Sequence, residues 1–124
     1  MSFREYIGIP FKDECKSFDC ADCRGLIWLI YKEEKDIVLP ENLLDDKTWN
    51  KNLKLYHNKI RVYPPLKPFD VIFFYNRERS FVDHVGLYIE ENKFLHTFED
   101  KESTVDRFSG YWESRMWKAY RWQN

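Results

Sequence analysis

The stretch DHVGLYIEENKFLHT, Asp83 to Thr97, constrains this chain more than any other, because apolar residues alternate on both sides of a polar turn signal. Such a pattern folds as a ribbon of two antiparallel strands, and the parity of its loop decides which side chains share a face. Pairing Ile89 with Lys93 around Glu90-Glu91-Asn92 sets His84 opposite Phe98 and His96 opposite Gly86. The two imidazoles then lie on one face as diagonal neighbours, with roughly 7–8 Å between their backbones. Gly86 leaves room for the ring of His96. The other face collects Val85, Leu87, Ile89 and Leu95, a core stripe that only Thr97 interrupts.

A stripe of that kind needs an apolar partner, and the sequence supplies one upstream. From Arg24 to Glu34 the residues Leu26, Ile27, Ile30 and Tyr31 recur at helical spacing, widened by Trp28 and Leu29. Asp22 is placed to cap this helix, since a carboxylate there accepts free backbone N–H groups and complements the positive end of the dipole. The helix then begins at Cys23. Lys35 to Pro68 reads as a long connection with one short helix around Glu41 to Leu53. Four segments have strand character: Phe69–Tyr75, Asp83–Glu90, Lys93–Phe98 and Met116–Trp122. One helix and four strands predict an α+β domain in which an antiparallel sheet packs on the first helix.

The 124 residues fit a single domain, 1–124, large enough to bury a core without staples. Twenty basic and 21 acidic residues leave a formal net charge of -1, so there is no basic field for nucleic acid or an anionic membrane surface. No stretch is long enough to insert in a membrane, and Met1 to Pro10 lacks the layout of a secretory signal. Cys15, Cys20 and Cys23, an odd number, do not describe a disulfide framework and fit a reducing compartment, with at least one thiol free.

Of the three, Cys23 sits where a helix start lowers a thiol's pKa. Cys20 lies about one turn earlier, outside the helix, and Cys15 farther still in a polar loop. With His84 as base and His96 holding the other ring nitrogen of His84, Cys23 completes a nucleophile, base and orienter.

These residues, together with Gly8-Ile9-Pro10-Phe11, Asp22-Cys23-Arg24-Gly25-Leu26, Phe69-Asp70-Val71, His84-Val85-Gly86-Leu87-Tyr88 and Phe94-Leu95-His96, resemble the NlpC-type cell-wall cysteine peptidases. The resemblance implies a papain-like core, with Cys23 as nucleophile, His84 as base and His96 as third polar residue, acting on amide bonds of peptidoglycan stem peptides. It implies no cofactor and no metal. The runs YKEEKDIVLP and ESRMWKAYR look like the branch found in bacteriophage tail tips, which implies other tail-tip proteins as partners and a location in the virion or, lacking a signal peptide, the bacterial cytoplasm. Two departures bear on activity. Phe11 stands where the family commonly has a tyrosine, so oxyanion support falls to backbone N–H groups at the helix start, and Lys12 to Cys15 replace a glycine pair.

Rival readings are an inactive tail-assembly protein that keeps the fold, a structural zinc module on Cys15, Cys20, Cys23 and a histidine, and an acyltransferase using the same thioester. Phe18-Asp19-Cys20 repeats the F-D-C tripeptide, and the following Gly25-Leu26 and the helix start select Cys23. His57 reads as a surface residue and Asp70 and Asp83 as turn and strand-edge residues. Tyr111, Trp112, Trp117, Tyr120 and Trp122 read as core.

Overall fold

Helix α1, Cys23–Lys35, starts where the capping argument puts it: the Asp22 carboxylate accepts the N–H of Gly25 at 2.6 Å. The computed structural model describes residues 2–39 and 59–123, so the helix expected around Glu41 to Leu53, and His57, lie outside the described residues. Among those described, a 3-10 turn, Arg4–Tyr6, precedes α1. Six strands follow: β1 Lys59–Val62, β2 Val71–Tyr75, β3 Val82–Glu90, β4 Lys93–His96, β5 Thr104–Arg107 and β6 Met116–Trp122. A short helix α2, Gly110–Ser114, sits before the last of them. The strands form one antiparallel sheet in the order β1-β6-β2-β3-β4-β5.

This is the expected α+β architecture with two strands more than expected. Both extra strands, KIRV and TVDR, lie at sheet edges, are four residues long and are largely half-exposed. Edge strands with one wet face carry little apolar alternation, so their pairing partners define them more than their own sequence does. β2 begins at Val71 and β4 ends at His96, each two residues inside the predicted span.

The β3–β4 ribbon holds the predicted register, with Leu87 opposite Leu95 and Tyr88 opposite Phe94. The turn is built differently. Glu90 pairs with Lys93 around a loop of Glu91 and Asn92, both at positive φ (50° and 63°), and an irregularity between Tyr88 and Glu90 takes up the extra residue. A tight two-residue loop of this kind matches the strand twist, and the bulge restores the parity that a three-residue loop would have given.

Alternation divides the sheet into two buried faces. On one, Val71, Phe73, Val85, Leu87 and Leu95 pack with Leu26, Ile27, Ile30 and Tyr31 of α1, all essentially inaccessible to water. Each such large side chain contributes on the order of 1.5–3 kcal/mol by leaving water. On the other, Ile72, Phe74, Tyr88 and Phe94 meet Leu66, Phe108 and the partly buried Trp112. Of the aromatics expected in the core, Trp122 is buried and Trp117 and Tyr120 pack on its margin, whereas Tyr111 is exposed. Gly86 is required mainly by Phe94: a Cβ there would lie 2.6 Å from the Phe94 ring and 3.4 Å from Cβ of His96.

Candidate active site

Cys23 is the first residue of α1, and its position is fixed from below by a tightly bonded loop. Asp22 is 4% exposed, and its carboxylate also accepts the N–H of Glu14 at 2.8 Å and Nη2 of Arg24 at 3.1 Å. Its own N–H donates to the Cys15 carbonyl at 3.1 Å. That carbonyl lies so close to α1 that a Cβ on Gly25 would sit 1.9 Å from its oxygen. The glycine of the D-C-x-G-L run is therefore a packing requirement, letting the loop backbone close on the first helical turn.

Cys15 and Cys20 form a disulfide across this loop and Cys23 is free. The expectation of no disulfide is thus corrected: the odd count leaves one thiol, but the other two pair because the loop folds back on itself, with Ser17 N–H bonded to the Cys20 carbonyl. The same pairing removes two of the donors that a zinc module would need.

The two histidines stand on one face of the ribbon, as the register requires. Nε2 of His84 and Nδ1 of His96 are 2.8 Å apart, and both rings are buried. Phe94 and Trp112 pack against His96 with ring centroids 4.4 and 4.9 Å away, and Trp112 lies 5.7 Å from His84. The free nitrogen of His96, Nε2, reaches Oδ2 of Asp106 at 2.6 Å. Sequence reasoning missed Asp106. It lies on β5 opposite Phe94, one diagonal step from His96, and the only available signal was the alternation of Thr104-Val105-Asp106-Arg107, too short to be read as a strand.

Cys23 and His84 line the same cleft, of about 610 Å³, whose walls include Phe11, Arg24, Phe98 and Trp112. The backbone N–H of Val85, the residue after His84, favours the Cys23 thiolate. Tyr111 and Trp112, expected in the core, also line the cleft, as does Phe11. Asp83 lies on the wall with Nη2 of Arg115 3.9 Å away. Asp70 serves the turn before β2, accepting the Lys67 N–H at 2.8 Å and Nε of Arg121 at 2.6 Å.

The electrostatics differ from the expectation for a helix start. Burial of the Cys23 thiol pushes its pKa up to about 11, aided by the Asp22 charge, and outweighs the Val85 N–H and Arg24, which favour the thiolate. Burial, then His96, then Arg115 hold His84 well below the ordinary imidazole range. Burial also lowers His96, against the opposing pull of Asp106. At neutral pH the thiol and both imidazoles are therefore uncharged. The helix terminus still favours the thiolate, but here the desolvation is larger.

Comparison with known proteins gives a consistent picture. A model of the NlpC/P60 family matches residues 8–121. The chain is 26% identical over 125 residues to the gamma-DL-glutamyl hydrolase of Bacillus subtilis, covering 97% of this chain and 28% of that protein. It is 23% identical over 118 residues to a probable endopeptidase of Haemophilus influenzae, covering 94% of this chain and 68% of that one. Among solved structures, an NlpC/P60 family protein from Bacillus cereus has a TM-score of 0.75 at 21% identity, with 96% of this chain and 37% of that chain covered. The chain thus spans about a quarter to two thirds of the length of these relatives. The structural likeness carries the fold.

Proposed function

Because the chain belongs to the NlpC/P60 family, we propose that it is a cysteine peptidase that hydrolyses an amide bond of a peptidoglycan stem peptide, with Cys23 as nucleophile, His84 as general base and His96 as the group that orients His84. The observation that carries this reading is the convergence on one cleft of a free thiol at a helix start and a buried imidazole bonded to a second imidazole. The names of the relatives, a glutamyl hydrolase and an endopeptidase, support amide hydrolysis as the reaction class.

The chemistry follows from the charges. With Cys23 at about 11 and His84 depressed, a resting thiolate–imidazolium pair is disfavoured, so the proton moves as the sulfur attacks. Nε2 of His84 is engaged with His96, which leaves Nδ1 to take the thiol proton. Sγ adds to the carbonyl carbon, and the oxyanion is held by backbone N–H groups at the start of α1, since Phe11 has no donor to offer. The His84 imidazolium then protonates the leaving amine. Water, deprotonated by His84, cleaves the thioester, releasing the carboxylic acid and the Cys23 thiol.

Digestion of purified peptidoglycan by wild type, Cys23→Ala and Cys20→Ala, with mass analysis of the fragments, tests the reading. Wild type and Cys20→Ala should release stem-peptide fragments with a new carboxylate and a new amine, and Cys23→Ala none. Release by Cys23→Ala overturns it. An inactive wild type would favour the fold-keeping assembly protein, for which the donorless Phe11 lining the cleft is the specific argument. The setting we infer is a bacteriophage tail tip, on the strength of the runs YKEEKDIVLP and ESRMWKAYR. Finding the chain in tails of purified particles supports that setting, and its absence from particles overturns it.

A further inference from the structure

The hydrogen-bond chain behind the cleft does not end at the second imidazole. Asp106 has its side chain 42% exposed and therefore keeps water as well as His96 around its carboxylate. A carboxylate in that state can only accept. The 2.6 Å contact consequently requires a proton on Nε2 of His96. A neutral imidazole has one N–H, so Nδ1 of His96 is bare and must accept across the 2.8 Å contact from Nε2–H of His84. That in turn leaves Nδ1 of His84 with its lone pair free. Two hydrogen bonds, read outward from a single acceptor, thus decide the tautomer of a ring two residues away in the chain of contacts.

We propose that Asp106 is a positioning residue that fixes the tautomers of His96 and His84 and so keeps Nδ1 of His84 ready to accept the thiol proton. The proposal rests on the assignment of Cys23 and His84 given above. Replacing one of two contacts by water would leave His96 free to place its proton on Nδ1, and His84 would then present an N–H, not a lone pair, to the thiol. β5 is an edge strand held to β4 by backbone pairing, so removal of a half-exposed side chain there leaves the ladder in place.

The test uses full-length protein labelled with 15N-histidine, in wild type, Asp106→Ala and Asp106→Asn. Long-range 15N–1H spectra report directly which ring nitrogens are protonated. Wild type should show protonated Nε2 and bare Nδ1 on both His84 and His96, and Asp106→Ala a mixture or inversion of that pattern. On a wall substrate, Asp106→Ala should lose about 10–100-fold in kcat with KM unchanged, a share of the ~10²–10⁴ that a positioned general base supplies. Asp106→Asn, whose amide oxygen can still accept from Nε2–H, should retain more activity than Ala. A bare Nε2 on His96 in wild type overturns the proposal, as does an unchanged pattern and kcat in Asp106→Ala. If wild type cuts no wall substrate, the functional reading fails, and the spectra still decide the role of Asp106.

Discussion

The two faces of the β3–β4 ribbon are buried to a similar degree, yet burial accomplishes different things on them. On the face toward α1, Val85, Leu87 and Leu95 meet aliphatic helix residues, and removal from water contributes directly to stability. On the other face, Phe94, Trp112 and Phe74 enclose two imidazoles. There the same exclusion of water lowers the proton affinity of His84 and His96. Burying a polar ring is unfavourable unless its nitrogens are bonded, and the chain His84–His96–Asp106 bonds three of the four, leaving Nδ1 of His84. One face of the ribbon holds the helix that carries the thiol, and the other holds two neutral imidazoles, the proposed base among them.

Substitutions on opposite faces of the ribbon should therefore separate activity from stability. His84→Gln keeps a donor toward His96 but offers no base, and its kcat on a wall substrate should fall by about 10²–10⁴-fold with the urea midpoint little changed. Leu87→Ala, one pair from His96 but on the helix side, should lose about 2–5 kcal/mol of folding stability. Its kcat, measured where the protein is still folded, should match wild type. A large loss of turnover in Leu87→Ala, or a stability loss in His84→Gln equal to that of Leu87→Ala, would break the division between the faces.

How far these faces could be read from the sequence depends on what set them. The helix start was legible because Asp22 has one bonding role available before an apolar periodic run, and the ribbon register was legible because a one-residue slip would send Val85, Leu87 and Leu95 to the histidine side. The turn was not legible in detail: a bulge plus a tight loop and a wider loop give the same parity. The aromatic packing behind the histidines was partly visible in Val71-Ile72-Phe73-Phe74, which has no polar alternation and so must be covered on both faces. Asp106 was not visible, since a four-residue edge strand borrows its geometry from β4. The thiol's raised pKa was missed for a related reason, because the helix dipole can be inferred from sequence whereas the desolvation of one sulfur depends on how the loop and β3 close over it.

The neutral state of the histidine face has a pH signature with a definite sign. Both folded-state pKa values lie below the ordinary 6.5, so above pH 6.5 neither state is protonated and stability is at its full value. As pH falls below 6.5 the unfolded chain binds protons that the fold refuses, and stability is lost at up to about 1.4 kcal/mol per pH unit for each ring. Urea titrations of wild type at pH 7.5, 6 and 5 should show this decline, and His84→Gln should soften it. On the thiol side the sign is opposite. Cys23 is raised from 9.0 to about 11, so alkylation by iodoacetamide should accelerate up to about pH 11. A rate already flat between pH 6 and 9 would mean a resting thiolate and would place the two faces in direct ionic contact.

The smallest effect belongs to a region outside both faces, the disulfide loop beneath Cys23. Closing a loop from Cys15 to Cys20 restricts the unfolded chain by about 2 kcal/mol on the chain-entropy relation. The folded loop has other ties besides the staple, because Asp22 N–H and the close approach to Gly25 also hold the Cys15 carbonyl. Cys15→Ser with Cys20→Ser should therefore reduce stability by about 2 kcal/mol or less, measured by urea unfolding, and leave kcat unchanged. Gly25→Ala acts on the same loop through its backbone, which cannot yield as a flexible side chain can, so it should cost about 1–3 kcal/mol or more and move Cys23 with the helix start. If the double serine variant lost turnover while Gly25→Ala kept it, the thiol would be positioned by the staple and not by the helix cap, and the stability face would have to be extended to include the loop.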